Sequence, residues 1–291
     1  MTASALHNRS EMKRLSPRYK NWLIYRARKP FRTRRQNRWR WATVANQQGL
    51  KIARVLSQPM PTVLCLENAY ESTVGFISEL RLRSMLSPGP AVQLEMARRR
   101  GRVGWVRNYR DFSQLTDITP GAALIVAAEY DRARHLSGVP LSAVDTDQWH
   151  PEVYATLQVL GFFEVLGVQN APVLDLPPGF FIQPMASEMA ANSRSAIDQI
   201  VDLFGKAGGD EALRVALCGA VVDALENVKD HAYPREQFAG VKHIPNWWFT
   251  GAADSNNRSL ILGIYDQGIT IPVSLPSRFG LAEVGGCPAF C

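Results

Sequence analysis

Apolar and polar positions alternate along this chain with two different periods, and the switches between them outline its elements. Val63-Leu-Cys-Leu66 is a short apolar run that predicts a strand. Residues 69–83 follow with Val74, Ile77 and Leu80/Leu82 at helical spacing. A Pro/Gly turn at 87–90 leads to a strand over Val103–Val106, and Thr119-Pro120 then opens a helix across 121–134, with threonine at the cap and proline at the first helical position. Val139–Val144 predicts another short strand. A helix starts at Trp149-His-Pro151 and is ended by Gly161, before Phe162-Phe-Glu-Val-Leu166.

The second half repeats the alternation. Leu176-Pro-Pro-Gly179 marks a domain edge, and Phe180–Ile182 predicts a strand. Residues 187–204 predict a helix carrying Met189, Ile197, Ile200/Val201 and Phe204 on its apolar face. Gly208-Gly209 breaks it, Asp210 caps a helix from 211 to about 233, and Pro234 closes that helix. Residues 244–251 and 259–265 flank Asp254-Ser-Asn-Asn257, a turn-forming run, and predict a hairpin. Strands alternating with helices imply an α/β (α+β) class.

Composition changes this picture mainly at the N-terminus. The chain has 291 residues and is 46% hydrophobic, ample for packed cores, and the length suggests two domains. Net charge is +7, but residues 1–60 carry 15 Lys/Arg against Glu11 alone, a balance of +14, so the remainder is acidic at −7. Trp22, Tyr25, Phe31, Trp39 and Trp41 are interleaved with these cations. That mixture suits phosphates and stacked bases, a membrane surface, or a solvated leader whose aromatics dock on the body. Residues 1–58 are therefore expected to be a disordered basic arm, with nucleic acid as one partner. No apolar run is long enough for a membrane span, no secretory leader is evident, and the four cysteines form no disulfide framework. A cytoplasmic setting is expected.

The candidate chemistry lies late in the chain. Asp223, Asn227 and His231 are spaced i, i+4, i+8 and share one face of the 211–233 helix, opposite an expected buried stripe of Leu213, Leu217, Ala220/Val221, Ala224 and Val228. An ordinary helix carries such a polar stripe as a solvated outer face. Asn227, a poor helix former, stands in mid-helix, where it lowers stability unless it serves something. Thirty-nine positions after it, Asp266-Gln-Gly268 ends the apolar run Leu260–Tyr265, a strand end where something can approach the backbone. A carboxylate and an amide on one helix, with a strand-end aspartate beside a glycine, could hold a metal-bound triphosphate and a purine.

Asp223-Ala-Leu-Glu-Asn227-Val-Lys-Asp-His231-Ala-Tyr233, followed by Asp266-x-Gly268, resembles the N-box and G1 box of the GHKL (histidine kinase-like) ATP-binding superfamily. His231-Ala-Tyr233 is closest to the anti-sigma-factor serine kinases. The resemblance covers roughly residues 180–276 and implies a two-layer α/β sandwich that binds ATP and Mg²⁺. It implies Asn227 as the Mg²⁺ ligand, Asp223 in the slot of the general base, and Asp266 accepting from the adenine amino group beside Gly268, with His231 part of the cofactor-binding set. The sequence departs from the pattern at Thr270, where a second glycine is usual, and at Asp223, where glutamate is usual. The Gly-rich lid is absent from the 19 residues after Pro272, so a domain over 180–291 that stops short of its lid is expected. The resemblance to orthodox histidine kinases ends there, since no histidine is followed by an acidic residue.

Residues 59–175, through Ile118-Thr-Pro-Gly-Ala-Ala-Leu124, resemble a STAS-like domain, the fold of anti-sigma-factor antagonists; Thr119 is the hydroxyl that family's phosphorylation site would require. The expected function is that of an ATP-binding regulator in a partner-switching system, an ATPase or a Ser/Thr kinase acting on a regulatory protein partner. Two alternatives stand beside it: a non-catalytic interaction module with a degenerate nucleotide site, and a nucleic-acid-associated protein working through its basic arm.

Overall fold

The computed structural model describes residues 40–46, 49–58, 60–84, 105–137, 141–168, 171–189, 194–233 and 244–268. The basic run before Arg40, the turn at 87–90, Thr270 and the tail to Cys291 lie outside the described residues. Apart from Arg40, the described residues belong to one compact unit, Trp41–Cys291. The class is mixed α/β. No described helix is long and apolar enough to cross a membrane.

Strands β1 (Arg40–Asn46) and β2 (Gly49–Gln58) sit in the middle of a four-stranded sheet, in the order β4-β2-β1-β6, with β4 at Trp105–Arg110 and β6 at Ala143–Val144. The expected disordered arm through residue 58 is corrected here: residues 40–46 and 49–58 are strands. Ala42, Val44, Ala53 and Val55 alternate with outward residues and bury against Tyr109 and Val144, a period-two pattern built from small residues. The Thr43 N–H donates to Asp145 Oδ1 at 2.6 Å and tethers β1 to the chain that follows β6. A second small sheet pairs β3 (Val63–Leu64) in parallel with β5 (Asp117–Ile118).

Two helices frame this half, α1 (Tyr70–Ser84) and α2 (Pro120–Ser137), followed by α3 (Pro151–Val159) and the short α4 (Phe162–Leu166). Their shared core is aromatic: Phe112 stacks on Trp149 at 4.6 Å between ring centroids, and Trp149 on Phe163 at 5.7 Å. Helix α2 starts where threonine cap and proline predict.

The second half is an antiparallel sheet centred on β9 (Asn246–Asp254), with β10 (Ser259–Asp266) on one side. On the other side β7 (Phe180–Ile182) and β8 (Ala186–Met189) pair with successive stretches of β9, interrupted at Gln183-Pro184-Met185. Residues 187–189, expected in a helix, are therefore strand, and the helix α5 runs Arg194–Ala207. The interruption is itself bonded: the Gln183 N–H donates to Gly251 O at 2.8 Å, and Gln199 of α5 donates to Pro184 O at 2.6 Å. The 176–179 segment is pinned to the β9–β10 turn, with Asn256 donating to Pro178 O at 2.8 Å. Gly179 takes φ +82°, and a Cβ there would lie 2.7 Å from Ser255 and Asn256, so only glycine fits.

Strand β9 is buried on both faces, which is why it reads as a continuous apolar run and not an alternation. Trp247 and Phe249 pack on α5 and on α6 (Glu211–Asn227), whereas Trp248 packs on Leu124 and Ala128 of α2. The sheet thus carries helices on both faces, and Ile182 and Ala252 join the aromatic core of the first half.

The expected buried stripe holds only at the C-terminal end of α6 and just beyond it, at Val221 and Val228, where Leu225 joins it. Val221, Leu225 and Val228 are at most 6% exposed, while Leu213 is 50% exposed. Trp247 and Phe249 lie near the start of β9, so only the C-terminal half of α6 reaches the sheet.

Candidate functional site

Asp210 opens α6, its side chain accepting from the Ala212 N–H at 3.3 Å. Asp223 and Asn227 lie on the last two turns with exposed side chains. The helix then loosens into a π turn, Val228–Ala232, that contains His231, half-buried, and leads to Tyr233. Turns of this kind recur at functional sites.

Strand β10 delivers its end to this place. A Cβ on Gly268 would lie 2.3 Å from the Ala232 carbonyl oxygen, so backbone meets backbone there and a side chain is excluded. The Tyr233 hydroxyl donates to Asn246 O at 2.6 Å and accepts from the Gln267 N–H at 2.9 Å. The Gly268 N–H donates to Asp266 Oδ1 at 2.8 Å, which orients that carboxylate. The structure therefore brings the end of the Asn227 helix to the Asp266–Gly268 turn. His231, Ala232 and Tyr233 are next to it in sequence, and Asp223 and Asn227 lie farther back along the same helix.

The turn is backed by a buried polar cluster on α2. Glu129 is 1% exposed and Arg132 also 1%. Glu129 Oε1 accepts from Tyr265 Oη at 2.5 Å, Gln267 Nε2 at 3.0 Å and Arg81 Nε at 3.0 Å, and Oε2 accepts from Arg132 Nε at 2.9 Å. Beside it Asp131 Oδ1 accepts from Arg134 at 2.7 Å and Oδ2 from Trp248 Nε1 at 3.0 Å. In the sequence, residues 129–134 read as the tail of a helix. The only local signal is four charged residues (129, 131, 132, 134) following an otherwise apolar stretch.

Burial raises the hydroxyl pKa of Tyr130, to about 12, and of Tyr233 and Tyr265 as well; at Tyr265 the Glu129 carboxylate adds to the rise. In an unfolded chain these tyrosines ionise near ~10. Above that pH the unfolded chain releases protons that the folded one keeps, so their stabilisation is complete below about pH 10 and is lost as pH rises through the folded values. Tyrosinate absorbance with urea melts at several alkaline pH values should show this; ionisation of all tyrosines together near pH 10 without loss of stability would contradict it.

Two cavities lie elsewhere. One of about 640 Å³ is lined by Phe204, Asp210, Leu213 and Arg258 among others, and one of about 610 Å³ by Asp131, His135, Glu164 and Ser187 among others. Neither includes Asn227 or Asp266. No group of three or more His, Cys, Asp or Glu able to hold a metal occurs among the described residues. No protein-family model matches the chain, and neither does any curated protein or solved structure.

Proposed function

We propose that this protein binds ATP with Mg²⁺ across the end of α6 and the Asp266–Gly268 turn, in the manner of the GHKL superfamily its motifs resemble. The observation that carries the reading is the approach of Gly268 to Ala232, which sets the strand-end aspartate at the foot of the helix bearing Asn227 and Asp223. Asp266 Oδ1 is taken by the Gly268 N–H, and Oδ2 accepts no hydrogen bond from the described residues, so one acceptor is available for an exocyclic amino group. From Ala232 back to Asp223 is about 13 Å along the helix, comparable with an extended nucleoside triphosphate.

The donor set fits Mg²⁺ held lightly. Asn227 would offer Mg²⁺ one hard oxygen, and an ion that keeps much of its water requires no all-protein cage. Asp223, one turn before it, is placed to take a proton from an attacking water or hydroxyl. Phosphoryl transfer requires little more of the protein than positioning and charge neutralisation. A partner-switching regulator, with a protein hydroxyl as acceptor, is the role this chemistry serves.

Isothermal titration of the full chain with ATP, with and without Mg²⁺, tests the reading. Binding that requires Mg²⁺ and is lost in Asp266→Ala supports it. Absence of binding, or binding indifferent to Asp266, overturns it.

A further inference from the structure

We infer that Tyr233 and Gln267 are positioning residues that fix the Asp266 carboxylate and thereby set selection of adenine over guanine; this rests on the ATP reading above. The turn is held from two sides. On one, the Tyr233 hydroxyl accepts from the Gln267 backbone N–H and donates to Asn246 O, locking the end of β10 to the start of β9. On the other, the Gln267 side chain donates to buried Glu129 at 3.0 Å, and Glu129 is itself held by Arg81 of α1 and Arg132 of α2. Backbone and side chain of one residue are thus anchored to different layers of the fold.

Asp266 depends on both anchors. Its Oδ1 is oriented by the Gly268 N–H, and Gly268 has no room to shift toward Ala232. Freeing Gln267 would let the carboxylate turn with the backbone. Adenine presents an amino group to a carboxylate, whereas guanine presents a carbonyl oxygen at the corresponding edge, and two acceptors repel. Selectivity of this kind survives only while the acceptor is held, because discrimination comes from leaving a wrong base unpaired. The triphosphate and its metal are held at Asn227, away from this turn, and lose little when the turn loosens.

Tyr233→Phe removes the bridging hydroxyl and keeps the ring. We expect the ratio of GTP to ATP dissociation constants, measured by calorimetry with Mg²⁺, to fall at least tenfold toward unity, mainly through weaker ATP binding. Amide hydrogen exchange should accelerate at Gln267 and Gly268 while β9 stays protected. Gln267→Met, which removes the bond to Glu129, should lower the ratio in the same direction and stands in if Tyr233→Phe fails to fold. Thr250→Val is the structural control: it deletes a buried hydroxyl that donates to Gln183 O at 2.7 Å, far along β9 from the turn, and should lower the melting temperature without changing the ratio. An unchanged ratio in folded Tyr233→Phe, or an equal fall in Thr250→Val, overturns the inference while ATP binding by the wild type leaves the functional reading standing. A wild type that binds neither nucleotide overturns both.

Discussion

Replacing Glu129 with alanine should lower the unfolding free energy by about 3–5 kcal/mol, the cost of breaking a buried ion pair from one side. The carboxylate is fully buried, and its two oxygens accept from Arg81, Arg132, Tyr265 and Gln267. Removing it takes the counter-charge from Arg132, whose side chain is 1% exposed. Such a loss is a large part of the ~5–15 kcal/mol that holds an ordinary domain together. Arg81→Met should cost far less, about 1 kcal/mol, because the Arg81 side chain is 35% exposed and water takes over part of the interaction. The paired change Glu129→Met with Arg132→Met should recover most of the loss, since it removes the fully buried guanidinium with its partner and leaves unmatched only Arg81, which is 35% exposed to water. Urea unfolding of the four proteins measures this. A Glu129→Ala chain within 1 kcal/mol of wild type would mean that the cluster contributes no net stability.

Asn227→Ala should have the opposite profile: an unchanged fold and a nucleotide affinity reduced about 100-fold, which is ~2.7 kcal/mol. Asn227 is exposed, with no side-chain cap to lose, and alanine is the better helix former. Stability should therefore move by less than ~0.5 kcal/mol. If Asn227 holds Mg²⁺ as proposed, the residual ATP affinity should match that of wild type stripped of Mg²⁺ by EDTA. Asp223→Asn should spare affinity and abolish any phosphate release, as expected of a proton acceptor that binds nothing in the ground state. Full Mg²⁺-dependent affinity in Asn227→Ala would show that the metal is held elsewhere.

These two residues also show what local sequence could and could not disclose. Asn227 stood out as a poor helix former within an expected helix over 211–233; the start of that helix at Asp210 was legible, whereas its α-helical part ends at Asn227 itself and passes into the π turn Val228–Ala232. The β9–β10 hairpin was legible from Asp254-Ser-Asn-Asn257, whose side chains bond back to the turn, with Asn256 N donating to Asp254 Oδ1 at 2.9 Å. Glu129 carried no such signal. Its partners Tyr265 and Arg81 are 136 and 48 residues away, and a charge at helical spacing looks the same whether solvent or another helix faces it. Strands β1 and β2 were hidden by a different effect: arginine-rich composition across the first 40 residues masked an alternation carried by alanine and valine. The helix expected from residue 187 failed because the apolar spacing of 187–204 spans both β8 and α5, and the β8 backbone pairs along β9.

The π turn at Val228–Ala232 holds one residue more than an α-helical turn would. Each residue of a regular helix rotates the next by roughly 100°, so the surplus resets the phase of everything downstream. Val221 and Leu225 face the sheet in one phase, and Tyr233 meets Asn246 and Gln267 in another. Deleting a single residue between 228 and 232 would let the turn relax to regular α-helix and swing the tyrosine hydroxyl away from the strand ends. Deleting Lys229 or Asp230 should thus be more damaging to nucleotide binding than substituting either, although neither is among the residues proposed to meet the ligand.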